Sequence, residues 1–322
     1  MVNYDPQVTA LIELMKQAGG PPVHTLTPEQ ARQVMDGMNA VEQVEEVGSV
    51  EDRKIPGPEC EIPIRIYKPQ NAAASGVPVL VYYHGGGWVV GSVESYDPVC
   101  RKLVNRAECI VVSVDYRLAP EHKFPAAVID CQAAFEWVKK NAAQIGGDPN
   151  RVAVGGDSAG GNLAAVVAAN LKDSEELKVA HQLLVYPTTG TGGKSESYQK
   201  YGTTCPIIPT EVISYFWNHY WRDASDEKHP DFSVYSREDV SGAAPATIIA
   251  AQYDPSLDDS KLYAQKLIAA GIDVDYREYP GMIHGFFTID ALDKGIEAIE
   301  DACNNLKAQF EKLQPAEAGV GK

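Results

Sequence analysis

Nothing in the 322-residue sequence is built to cross a bilayer as a helix, since no apolar run approaches the roughly 20 residues that would take. Basic residues are scarce: 28 Lys and Arg stand against 44 Asp and Glu, for a formal net charge of −16. Such a surface repels phosphate backbones and anionic lipid, so nucleic acid and stable membrane association are both excluded as expectations. Six cysteines (Cys60, Cys100, Cys109, Cys131, Cys205, Cys303) are scattered, with no Cys-x-x-Cys pair and no histidine at metal-ligand spacing. Buried free thiols are the expected state, and no feature calls for a metal or an organic cofactor. The opening Met1-Val-Asn-Tyr-Asp-Pro6 lacks a basic start followed by an apolar core, so no secretory leader is expected and a reducing cytoplasm is the expected location. No internal repeat occurs, and no charge run is long enough to suggest disorder.

What is present is enough apolar matter, 44% of residues, to bury one large α/β core. Residues 1–45 have helical spacing. Val8, Leu11, Ile12, Leu14 and Met15 form an apolar face that stops at Gly19-Gly-Pro-Pro22, and a second helix starts at Thr27-Pro28, with Thr27 as cap. From Val44 to Tyr67 the spacing turns to short alternating runs around Pro56-Gly-Pro58, an edge hairpin. Val77–Tyr83 is then almost continuously apolar, as a strand covered on both faces should be. Helices near 98–106 and 126–143 alternate with strands at 109–115, 152–157 and 182–187, which implies a parallel sheet. Residues 188–225 break the rhythm with a Thr/Gly loop and an aromatic helix. An insertion there sits over the carboxyl ends of the strands, so it pairs with the N-terminal helices as a cap. The sheet resumes at 246–253 and 274–279, with helices at 256–270 and 293–313, and the catalytic domain is assigned to 46–187 and 226–322.

The chain is organised around Val152–Ala164, an apolar strand, a tight turn and a small-residue helix. Within it Gly156-Asp157-Ser158-Ala159-Gly160 matches Gly-x-Ser-x-Gly, in which so sharp a turn leaves no room for a Cβ two residues either side of the serine. The helix that follows points its first N–H groups at charge developing beside Ser158. His84-Gly85-Gly86-Gly87-Trp88 follows a strand, and its glycines allow several N–H groups to turn toward one point, as oxyanion stabilisation requires. No Lys-Ser/Thr follows these glycines and no Gly-x-Gly-x-x-Gly occurs, which argues against a phosphate cradle.

A serine nucleophile needs an oriented imidazole. Of seven histidines, His284 stands in the loop after the last strand and before the last helix; His84 is read as bonding locally to hold the glycine loop, and the other five as surface or structural. The third member should be a carboxylate closing a strand between serine and histidine. Asp254 fits, with Asp258 and Asp259 as alternatives a few residues into the next helix. Asp157 is read as structural, hydrogen-bonded or paired with Arg117.

His84-Gly-Gly-Gly87, Asp115-Tyr-Arg-Leu-Ala-Pro-Glu-His122, Gly155-Gly-Asp-Ser-Ala-Gly-Gly161, Tyr253-Asp-Pro255 and Gly281-Met-Ile-His-Gly-Phe286 together resemble the microbial hormone-sensitive-lipase-like carboxylesterases, over residues 40 to 313. The resemblance implies an α/β-hydrolase fold, a mostly parallel central sheet flanked by helices with a helical cap. It implies Ser158, Asp254 and His284 as triad, with the N–H groups of Gly86, Gly87 and Ala159 as oxyanion donors. One departure is Asp254-Pro-Ser-Leu-Asp258, where the family more usually has Asp-Pro-Leu-x-Asp; the spacing to Asp258 is kept.

The expected reaction is hydrolysis of small-molecule esters with short to medium acyl chains through an acyl-enzyme. Trp88, Phe216, Trp217, Leu257, Met282 and Phe286 are the candidate pocket lining. A non-catalytic ligand-binding protein on the same fold, as plant hormone receptors of similar sequence are, would show a replaced base, whereas all three triad positions are filled here. An amidase, deacetylase or peptidase would share the triad, and the sequence leaves open both that choice and the choice between a monomer and a homodimer.

Overall fold

An uninterrupted apolar strand is stable only with both of its faces covered, and the sheet is arranged to do that for its central strands. The structure is a computed structural model, and it describes residues 2–39, 44–190 and 193–314. Its strands are β1 (Ser49–Pro56), β2 (Glu61–Lys68), β3 (Val77–Tyr83), β4 (Ile110–Val114), β5 (Gly147–Asp157), β6 (Gln182–Val185), β7 (Ala246–Tyr253) and β8 (Val274–Ile283). They lie in the spatial order β1-β2-β4-β3-β5-β6-β7-β8. β1 and β2 form the antiparallel edge hairpin, β2 joins β4 antiparallel, and every pairing from β4 to β8 is parallel.

The helices are α1 (Pro6–Ala18), α2 (Pro28–Asn39), α3 (Asp97–Ala107), α4 (Ala126–Asn141), α5 (Ala159–Asn170), α6 (Glu196–Tyr201), α7 (Thr210–Tyr220), α8 (Leu257–Ala269) and α9 (Asp293–Lys312). Alternate residues of β3 feed two cores, as the two-residue period of a strand requires. Val79, Val81 and Tyr83 pack with Phe135 of α4, Leu163 of α5 and Leu267 of α8. Leu80 and Tyr82 pack on the other face with Leu103 of α3 and Leu306 of α9. None of the described helices is long and apolar enough to cross a membrane. All six cysteines are free thiols, and only Cys60 is exposed.

The N-terminal segment divides between the two sides of the sheet. Of its expected apolar face only Val8 is fully buried; Leu14 is 63% exposed, because α1 touches the body along one narrow line near β8, where the N–H of Asp5 donates to the carbonyl of Gly281. At the start of α2, Thr27 and Gln30 cap each other reciprocally, the Gln30 N–H donating to Thr27 Oγ1 (3.2 Å) and the Thr27 N–H to Gln30 Oε1 (3.0 Å). The helix expected to reach 143 ends at Asn141 and tightens into a 3-10 turn, Ala142–Ile145. Expectations for 40–43 in the N-terminal stretch, for 191–192 in the Thr/Gly loop and for the tail beyond 314 lie outside the described residues.

Candidate active site

β5 ends at Asp157 and α5 begins at Ala159, which leaves Ser158 alone at the turn with φ +53° and ψ −115°. A positive φ is strained for a residue with a side chain, and such strain persists only where the surroundings over-determine it. Here the Ser158 N–H donates to the carbonyl of Val185 (2.9 Å) and its carbonyl accepts from Asn162 (3.0 Å), so both ends of the peptide are held. The turn brings α5 hard against β3: a Cβ on Gly160 would stand 1.9 Å from the carbonyl oxygen of Tyr83. Gly160→Ala must therefore push α5 off the strand. We expect a loss of about 1–3 kcal/mol in stability, the usual cost of overpacking, with a fall in turnover, read by chemical denaturation and steady-state kinetics.

His284 follows directly on β8 and is 4% exposed; its ring lies between two partners. Nδ1 is 2.7 Å from Asp254 Oδ2, and Nε2 is 2.9 Å from Ser158 Oγ. With the imidazole neutral, this network assigns the proton to Nδ1, donated to the carboxylate, and leaves Nε2 to accept from the serine hydroxyl. Asp254 is wholly buried, and its other oxygen accepts from the N–H of Ser256 (2.7 Å). That bond comes from the backbone, so the side chain at the departure from the usual Asp-Pro-Leu-x-Asp does not disturb it. Tyr186 packs its ring 4.5 Å from the imidazole.

Asp258 and Asp259 have other work. Asp258 Oδ2 accepts from the N–H of Ser197, and Asp259 Oδ1 accepts from the N–H groups of Thr189 and Gly190, each at 2.8 Å. Two adjacent carboxylates in the first turn of α8 thus anchor the inserted segment to the body.

The glycine loop turns back on itself, with the N–H groups of Val89 and Val90 both donating to the carbonyl of Gly86. Gly86 and Gly87 have φ of +110° and +60°. At Gly87 a Cβ would fall 2.2 Å from the Phe216 ring, so the α7 side chain rests directly on this backbone. Among the described residues the N–H groups of Gly86, Gly87 and Ala159 have no acceptor. His84 does bond locally: Nδ1 is 2.7 Å from the Gly85 carbonyl, and the ring stacks on Tyr116 at 4.3 Å. Burial lowers its pKa, which keeps it neutral.

Two pocket expectations are corrected, and the choice left open for Asp157 is decided in favour of hydrogen bonds. Asp157 does not pair with Arg117; Arg117 is taken by both oxygens of Asp130, which faces it from α4, and by Glu59. Asp157 instead accepts from Tyr82, Tyr96 and Gly85. Met282 and Phe286 have no exposed surface, and Phe286 is packed against Tyr186 and Tyr279, so neither forms a pocket wall. Trp88 is 2% exposed and stacked on Tyr220 at 4.5 Å, which makes it packing beneath the loop. Phe216, Trp217 and Leu257 remain half-buried, with Trp217 stacked between Tyr198 and Trp221.

Sequence reasoning missed Arg32 of α2. Its guanidinium donates to the carbonyls of Val89 (2.8 Å) and Ala119 (3.0 Å) and grips both oxygens of Glu121, whose carboxyl it holds down at a pKa of about 2. An arginine on a surface helix carries no signal of such a target. Among the described residues no three His, Cys, Asp or Glu side chains gather as a metal site.

Comparison with known proteins agrees with the fold. Residues 80–288 match a family described by its alpha/beta hydrolase fold. Carboxylesterase NlhH of Mycobacterium tuberculosis is 42% identical over 253 residues, covering 75% of this chain and 79% of that one. The ethyl acetate hydrolase of Pseudomonas putida is 32% identical over 322 residues, 97% of this chain and 99% of its own. Among solved structures, an ester hydrolase from the metagenome of Lake Arreo, complexed with a derivative of bipyridine phosphonate, superposes with a TM-score of 0.91 at 39% identity, covering 97% of this chain and 100% of that one.

Proposed function

Since the chain belongs to the hormone-sensitive-lipase-like carboxylesterases of the α/β-hydrolase fold and hydrolyses ester bonds, we propose that Ser158, His284 and Asp254 are its catalytic triad, with short- to medium-chain esters as substrates. The observation that carries the reading is the position of the His284 ring, 2.9 Å from the serine oxygen on one side and 2.7 Å from a buried carboxylate on the other.

Ser158 Oγ attacks the ester carbonyl as His284 Nε2 takes its proton, and the carbonyl π electrons move onto oxygen. The N–H groups of Gly86, Gly87 and Ala159 stabilise that oxyanion, the last with the dipole of α5 behind it. Collapse of the intermediate breaks the bond to the alkoxy oxygen, which leaves as the alcohol with the proton from His284. Water, deprotonated by the same imidazole, then attacks the acyl-enzyme and releases the acid. Asp254 keeps the imidazole oriented through both halves and stabilises the imidazolium.

The size preference is supported by α7, whose Phe216 lies on the oxyanion loop while α7 itself packs against the 3-10 turn Val23–Thr25. We read residues 1–45 and 188–225 as a cap that closes over the strand ends and limits the length of acyl chain admitted. The Pseudomonas relative, named for ethyl acetate, a short ester, points the same way. Hydrolysis of p-nitrophenyl esters across acyl length tests this. We expect kcat/KM to be highest for short and medium chains and to fall beyond about a dozen carbons, with anilides of the same acids far slower; best activity on the longest chains would overturn the closed cap.

A further inference from the structure

We infer that Asp157, acting with the hydroxyls of Tyr82 and Tyr96, is the positioning residue that sets the oxyanion loop against the nucleophile, an inference that rests on the triad and oxyanion assignment above. The carboxylate sits one residue before Ser158 and takes three hydrogen bonds from the other half of the site. Oδ1 accepts from Tyr82 Oη (2.9 Å) and from the N–H of Gly85 (3.0 Å), and Oδ2 accepts from Tyr96 Oη (2.9 Å). Gly85 is in turn the residue before Gly86. One side chain therefore joins the peptide next to the nucleophile to the peptide next to the oxyanion donors.

The chemistry of the group suits that task. Its three partners are all donors, and a carboxylate is a side chain of this size that accepts on both oxygens without having to donate. Among the described residues no Lys or Arg pairs with it, and it is 3% exposed, so these bonds are the direct contacts that compensate its burial. Burial raises the pKa of Asp157, which the two hydroxyls oppose, and raises those of Tyr82 and Tyr96 far enough to keep both phenols protonated as donors. Contact is direct: a Cβ on Gly85 would lie 2.4 Å from Asp157 Oδ2, so the carboxylate rests on the loop backbone itself. The anchors are rigid, since Tyr82 stands in β3 opposite Gly155 of β5 and Tyr96 caps α3. Gly86 and Gly87 adopt positive φ, where glycine leaves the backbone its greatest freedom, and a displacement of about 1 Å at donors of this kind costs roughly 100-fold in rate.

The test compares Asp157→Ala, Asp157→Asn and the pair Tyr82→Phe/Tyr96→Phe in the full chain. The readouts are kcat and KM on p-nitrophenyl butyrate, affinity for a trifluoromethyl ketone, whose adduct with Ser158 carries the oxyanion, and folding by circular dichroism. Asp157→Ala should lose about 100-fold in kcat with KM within about twofold, and ketone affinity should fall in parallel with kcat. Asp157→Asn keeps an oxygen for Tyr82 and Gly85 and should recover to within about tenfold of the parent. The tyrosine pair, which keeps the carboxylate and serves if Asp157→Ala does not fold, should lose about tenfold in kcat. Losses that appear in KM, an asparagine variant as damaged as the alanine one, or a folded tyrosine pair with unchanged kcat would overturn the inference. A fluorophosphonate label separates the two levels: if it fails to mark Ser158 in the parent, the triad reading falls, whereas a marked serine with unchanged kcat in the variants removes only the positioning role.

Discussion

Ser158→Ala should lower kcat on p-nitrophenyl butyrate by about five to six orders of magnitude, the scale seen when a serine hydrolase loses its nucleophile, or about 7–8 kcal/mol of barrier. The loss should be purely chemical. The backbone at 158 is held by Val185 and Asn162 through main-chain bonds that alanine keeps, and the deleted hydroxyl has one side-chain partner, His284 Nε2. The released nitrogen belongs to a buried ring but faces the half-buried position of residue 158, so the variant should fold, melt within a few degrees of the parent and still bind the trifluoromethyl ketone as its hydrate, without a covalent adduct. Turnover within tenfold of the parent, measured after removal of contaminating esterase, would sink the nucleophile assignment.

Asp254→Asn should cost about 10⁴-fold in kcat with little change in KM. The reason lies in the second bond that Asp254 makes. Its Oδ1 accepts from the N–H of Ser256 at 2.7 Å, and an amide must keep its oxygen there, which turns the NH₂ group toward the imidazole. Nδ1 then has to accept, the ring proton moves to Nε2, and the nitrogen facing Ser158 becomes a donor that cannot take the serine proton. Asp258→Asn and Asp259→Asn are the controls, since their carboxylates hold Ser197, Thr189 and Gly190 in the inserted segment. A loss at Asp254 of less than tenfold, or a greater one at either control, would move the acid elsewhere.

The elbow, the glycine loop and the alternation of strands and helices were legible because each is a local matter: a period of two, a glycine where a neighbour's backbone intrudes, a polar residue at a strand end. Asp254 could be preferred to Asp258 and Asp259 for the same reason, as it closes β7 while the other two lie in the first turn of α8. The partners of Asp157 were out of reach. Tyr82, Gly85 and Tyr96 are 75, 72 and 61 residues away in the chain, and nothing in a tyrosine's flanking sequence marks which carboxylate it will meet. The wall residues failed differently. Met282 and Phe286 flank His284, but proximity along the chain says nothing of which side of the loop a side chain takes, and both turn into the core under the sheet. Leu14 was misassigned because a single helix turn of contact needs far fewer apolar residues than the helix has.

The grip of Arg32 on Val89, Ala119 and Glu121 changes what the first forty residues mean to anyone who would shorten the protein. A segment outside the sheet braces, from its outer side, the glycine loop to which the oxyanion amides are assigned by our proposal. Trimming it for expression or crystallisation removes a buttress together with the proposed cap, and a truncated enzyme with poor turnover would say as much about slack at the loop as about access to the cleft.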